Sequence, residues 1–188
     1  MPELIPSLRG FLLLDGGKLR GSSFHRTVVL ICRHTPEGAF GLVLNRPSDN
    51  RVGEVIEAEL PEMLQRQTLF GGGPVQPAAL SYLHTRLGDA SEPILSGLTV
   101  GHDLQELIEI GAAGVTAVAP VRVFAGYAGW GPGQLDDEMR RESWLTEPAT
   151  LHLVFETAPE VLWGHILRRR GDWQSRLLAE SPDDLSWN

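Results

Sequence analysis

Side chains able to do chemistry gather in three glycine-bearing stretches of this 188-residue chain: His34–Pro47, Gly71–Val75 with His84 downstream, and Gly126–Leu135 with Glu138 beyond it. The candidate ligand site read from them comprises His34, Asn45, Arg46, Gly72, Gly73, His84, Gly129, Trp130, Gly131, Gln134 and Glu138. Hydrogen-bonding heads and an indole beside permissive backbone suit recognition better than bond cleavage. Nucleotide fingerprints fail. A G-x-G-x-x-G pattern begun at Gly129 and Gly131 ends on Gln134, and no lysine follows a glycine in that stretch as a phosphate loop requires. A helix opening near Gln134 still offers N–H groups to a small anion, with Asp136, Asp137 and Glu138 competing for the same dipole. Gly71–Val75 permits close backbone approach but brings no cation. A structural turn is the commoner use of both stretches.

Nucleophiles and metal ligands are poorly placed. Cys32 sits inside an apolar strand, where a thiol is inert. No serine occupies a G-x-S-x-G elbow or an S-x-x-K pair, and the histidines at 25, 34, 84, 102, 152 and 165 show no ligand spacing. No catalytic residue, metal or cofactor is assigned. His34 and His84, each nearer in type to a hydrogen-bonding turn residue, are the best placed to line a cleft. With Glu138 they make the acid–base set of an alternative hydrolase reading. Trp130 and Trp144 either cover a pocket or cap a small core. Arg168–Arg170 end a helix, where cations suit the dipole.

Strands are expected at 10–14, 27–33 and 39–44, the last two joined as a hairpin through His34–Gly38, with Asn45-Arg-Pro47 stopping the third. Helical spacing runs from Arg51 to Leu64 with a break at Pro61, and short strands follow at 68–70 and 80–84. The stretch 86–93 reads as an exposed loop. Asp103 caps a helix ending near Gly111; a strand at 121–125 leads through a glycine-rich turn into a helix at 134–141. Alternation predicts a strand at 150–155, and Thr157–Glu160 a capping box for a last helix. After Gly171 the polar chain, to residue 188, is expected to fray.

These elements need one mixed α/β domain, 1–188, and the composition supplies it: 42% hydrophobic, 21% charged, no disulfide framework from one cysteine. The 21 glycines and 13 prolines point to many special backbone positions. Net charge is −8, with fourteen acids against seven arginines after residue 94, which disfavours nucleic acid as a partner. No apolar run spans a membrane and no signal peptide stands at the N-terminus, so a cytoplasmic protein is expected.

Taken together, His34…Glu37-Gly-Ala-Phe-Gly-Leu-Val-Leu-Asn-Arg-Pro47, Gly72-Gly-Pro-Val75 and Gly126-Tyr-Ala-Gly-Trp-Gly-x-Gly-Gln-Leu-x-x-Glu138…Trp144 resemble the YqgE/AlgH family of bacterial proteins, in order and spacing, from about residue 10 to 165. The loop Asp15–Phe24 departs from the family pattern. The resemblance implies an α+β fold: a bifurcated, coiled, largely antiparallel β-sheet that includes a small closed barrel, surrounded by helices. It implies no agreed catalytic residue; one branch is described as a transcriptional regulator. The leading expectation is a non-enzymatic domain binding a small molecule or a partner protein. The alternatives are a regulator acting through DNA or a protein partner, and the hydrolase above.

Overall fold

The computed structural model describes residues 6–86, 92–114 and 119–181. Its strands are β1 (Phe11–Asp15), β2 (Val28–Thr35), β3 (Gly38–Val43), β4 (Pro47–Arg51), β5 (Thr68–Gly71), β6 (Val75–His84), β7 (Glu92–Leu95), β8 (Leu98–Gly101), β9 (Val121–Trp130) and β10 (Trp144–Pro148). They form one sheet in the order β10-β1-β2-β3-β9-β6-β8-β7, from which β4 and β5 branch. All pairs are antiparallel except β5 with β9. The fold is α+β as expected, but among the described residues the sheet does not close into a barrel. Closure requires the end strands to pair, and β10 and β7 end the path with one neighbour each.

Helices α1 (Val52–Val55), α2 (Glu62–Gln65), α3 (Leu104–Ala112), α4 (Gln134–Arg140), α5 (Pro159–Arg170) and α6 (Trp173–Glu180) pack around the sheet. No helix among the described residues is long and apolar enough to cross a membrane. Side-chain alternation sorts the core into clusters on different faces. One joins Leu30, Leu42, Phe124 and Leu162 under α5; a second gathers Val29, Ala39, Ala128, Trp130 and Trp144; a third lies between β9 and α3 around Val123, Tyr82 and Leu107. Burying each large aliphatic among these contributes about 1.5–3 kcal/mol.

Several expectations need correction. Alternation at 150–155 builds no strand. The Thr150 hydroxyl accepts from the Leu153 amide at 3.2 Å and starts a π-helical turn, His152–Glu156, that buries the adjacent Leu153 and Val154 together. Thr157 donates back to the His152 carbonyl, and α5 opens at Ala158 without a side-chain cap. The 51–64 helix resolves into the single turns α1 and α2; β3 does stop before Asn45-Arg-Pro47, at Val43, and Pro47 opens the edge strand β4. Beyond Gly171 the chain does not fray at once: Asp172 caps α6, accepting from the Ser175 amide at 2.7 Å. Of the expected 86–93 loop, residues 87–91 lie outside the described residues, as do 182–188.

The largest correction concerns the glycine-rich turn. Residues 126–130 continue β9. Gly126 takes φ 72°, a left-handed value that lets the strand pass an irregularity and changes which residues face which side. Before it Phe124 faces the first cluster; after it Tyr127 does, while Ala128 and Trp130 turn to the second.

Candidate functional site

Most of the residues singled out by motif are bonded to one another. On α4, the Glu138 Oε2 accepts from the indole N–H groups of Trp130 (2.9 Å) and Trp144 (2.8 Å), and Oε1 accepts from Gln134 Nε2 (3.0 Å). Gln134 Oε1 in turn takes the Gly131 amide at 3.1 Å. Phe24 stacks on Trp130 with centroids 6.3 Å apart and meets Trp144 edge-on. This corner is a closed hydrogen-bonded turn, and of the two readings of the tryptophans it realises the core cap. Two of the N–H groups at the start of α4 are occupied: the Gln134 amide donates to the Gly131 carbonyl and the Asp137 amide to the Gly133 carbonyl.

Asn45 and Arg46 clamp the loop between β1 and β2. Asn45 Oδ1 accepts from the Val28 amide and its Nδ2 donates to the Arg26 carbonyl, each at 2.9 Å, while Arg46 donates to the His25 carbonyl at 2.5 Å. Gly72 bridges strands, its amide donating to Ala125 and its carbonyl accepting from Val43; Gly73 lies flat on the Tyr127 backbone. His34 Nδ1 accepts from the Leu8 amide at 3.1 Å, which puts its proton on Nε2, 3.4 Å from Asp136 Oδ1. His84 is fully buried against Thr99, and burial holds its imidazole below the ordinary value. His34 thus meets Leu8 and Asp136, His84 meets Thr99, and Glu138 meets the two indoles and Gln134.

The glycine stretches do meet in space, around a cleft of about 910 Å³ whose lining includes Gly129 and Trp130 from the motif set. Other residues furnish its chemistry. Its floor is a row across β2, β3 and β9. Arg33 lies opposite Phe40, Phe40 opposite Gly129, and the Tyr127 ring lies against the space a Gly129 side chain would fill. The Phe40 and Tyr127 centroids are 5.2 Å apart, and His102 sets its ring edge-on to Phe40 at 5.4 Å. Ser81, buried at the cleft base, is bonded to His102 Nδ1 at 3.0 Å. Glu37 lies at the rim, its carboxyl held below the usual value by a hydrogen bond from Thr35.

Three strand irregularities build this row. In β2, Ile31 faces Gly41 and Arg33 faces Phe40, so Cys32 is an extra residue; it turns Arg33 onto the cleft face and His34 onto the other, beside Ala39. In β9, Gly126 brings Tyr127 onto that face. In β6 the chain runs from Val75 to Leu80 while β9 moves only from Tyr127 to Ala125, so Gln76–Ala79 arch out, with Gln76 at φ 43°. Left-handed backbone at a non-glycine residue is strained and concentrates at binding sites. Phe40 and Tyr127 stood inside the motifs, but their register did not; Ser81 and His102 are neighbours only through the pairing of β6 with β8, which no local spacing reveals. Cys32 itself stays in the core, its thiol pushed up by burial.

A family model described as AlgH-like matches residues 12–174. The chain is 40% identical over 176 residues to a UPF0301 protein of Chlorobium luteolum, covering 93% of this chain and 91% of that one. It is 38% identical to a UPF0301 protein of Streptomyces coelicolor over 98% of this chain and 97% of the relative. Its fold is similar to the solution structure of the AlgH protein from Pseudomonas aeruginosa, with TM-score 0.74 and 29% identity over 98% of this chain and all (100%) of the other. A crystal structure of a protein from Corynebacterium diphtheriae matches with TM-score 0.74 and 26% identity over 97% and 95%.

Proposed function

This chain belongs to the AlgH-like family, and we propose that it acts through that fold as a binding protein whose ligand enters the cleft between β3, β6 and β9. The observation that carries this is the convergence of the Cys32 bulge, the Gly126 crossover and the Gln76–Ala79 arch on one hollow. Sheet irregularities cost pairing, and these three bring Arg33, Tyr127, Gln76 and Ala79 to one cleft, whereas the irregularities of the β4–β5 and β7–β8 pairs lie outside its lining. Its volume suits a small molecule, and its aromatic floor with a few convergent polar heads is the usual make-up of such a site. The motif residues serve this site indirectly: Asn45, Arg46, Gln134 and Glu138 fix the turns that hold β3 and β9 in place.

The test passes a bacterial metabolite extract over immobilised protein and over the Phe40→Ala/Tyr127→Ala variant, its fold first verified by its amide spectrum. Mass spectrometry should find a compound retained by the wild type and lost by the variant. Equal retention by both, or none by either, overturns the reading.

A further inference from the structure

We infer that the cleft selects a planar aromatic compound bearing an anionic group, its ring on Phe40 and Tyr127 and its anion between Arg33 and His102. This rests on the binding reading above and names the ligand class. The row on the cleft floor is ordered: the Arg33 guanidinium, then the Phe40 ring, then Tyr127 beyond the side-chain-free Gly129. Gly129 is what allows the second ring to lie down, because a Cβ there would stand 3.1 Å from Tyr127 Cε2. Two rings inclined at 42° to each other along the cleft lining favour a flat apolar guest, stacked on one ring and meeting the other edge-on.

Cationic and donor groups flank the same plate. Arg33 is half-exposed and pairs with Glu92 at 3.5 Å, both groups lying in solvent, so the pair adds little stability and an incoming anion can displace the glutamate. A guanidinium presents a fork that matches carboxylate or phosphate. Across Phe40, His102 has Nδ1 engaged by the Ser81 hydroxyl. With that hydroxyl donating to Nδ1, the ring proton sits on Nε2 and supplies a second donor from the opposite wall. Glu37, ionised and tied to Thr35 at the hairpin, repels an anion from the rim and so sets which end of the guest points to Arg33.

The experiment titrates ¹⁵N-labelled protein with naphthoate, naphthyl phosphate, naphthalenemethanol and cyclohexanecarboxylate, followed by amide shifts. At least one of the two naphthyl anions should shift Phe40, Ser81, His102 and Gly129 and bind about tenfold more tightly than the neutral naphthyl alcohol or the non-aromatic carboxylate. The tighter of the two identifies carboxylate or phosphate as the fitting anion. Arg33→Gln should erase the advantage over the alcohol, whereas Glu92→Gln, which removes the competing carboxylate, should tighten binding. The inference falls if the alcohol binds as well as the anions, if Arg33→Gln changes nothing, or if no naphthyl anion moves the cleft amides. In each case a compound retained in the extract experiment would leave the wider binding reading standing.

Discussion

The corner at Glu138 and the cleft at Phe40 occupy opposite faces of the same stretch of β9, and they differ in how their polar groups are used. In the corner the polar side chains of the motif are spent on one another: two indoles and an amide fill both oxygens of one carboxylate, and that amide's own oxygen takes a backbone N–H. In the cleft, Arg33 has a weak exposed partner and His102 Nε2 has no hydrogen-bond partner among the described residues. Density of unusual residues therefore marks where the chain is held, while the donors that remain unspent lie in the cleft.

That contrast breaks if corner variants alter binding while leaving stability alone. The largest effect is expected at Gly73→Ala, at the junction of the two regions. Its Cβ would stand 2.2 Å from the Tyr127 carbonyl carbon at φ 152°, against backbone that cannot yield, and the variant should lose about 4 kcal/mol or fail to fold in urea titration. Glu138→Ala strands two indole N–H groups and should cost about 3 kcal/mol, with a change in tryptophan emission; Glu138→Gln, keeping an acceptor, should cost less. Asn45→Ala, which leaves the buried Val28 amide without its acceptor, is expected near about 2 kcal/mol by the same measurement.

A smaller, pH-dependent effect sharpens the assignment of His84 to structure. Burial lowers its pKa in the folded state below the ordinary imidazole value of about 6.5, so the unfolded chain takes up the proton first. This contribution to stability is complete above about pH 6.5, falls as pH drops below it, and levels off once the folded pKa is passed. Urea midpoints of His84→Gln should accordingly decline less between about pH 7 and pH 5 than those of the wild type. Least affected of all in stability should be Arg33→Gln, within about 0.5 kcal/mol, although it is expected to erase the preference for an anionic guest.

The sequence made the α+β class and the strand-rich framework legible because β-branched runs, a hairpin turn and the Asp103 cap act locally; Asp103 does accept from the Glu106 amide as its spacing predicts. It also located the segments that surround the cleft. It did not identify the side chains on the cleft floor, since those depend on phase. One extra residue at Cys32 and one left-handed glycine decide whether Arg33 and Tyr127 face inward or outward, and neither leaves a periodic trace. Trp130 stayed ambiguous for the same reason: flanked by glycines it suits a plate over a pocket or a core cap, and only its register opposite Ala39 shows the indole packed into the core at the cleft's edge. The alternation at 150–155 yielded to a single threonine hydroxyl.

Because β9 changes phase at Gly126, this one strand contributes Val123, Phe124 and Trp130 to three separate hydrophobic clusters. Peeling it away would uncover all of them together, so β9 has no cheap route to open by itself. The amides along β9 should consequently be among the last in the molecule to exchange with solvent deuterium, and to do so in one concerted event rather than by piecemeal fraying.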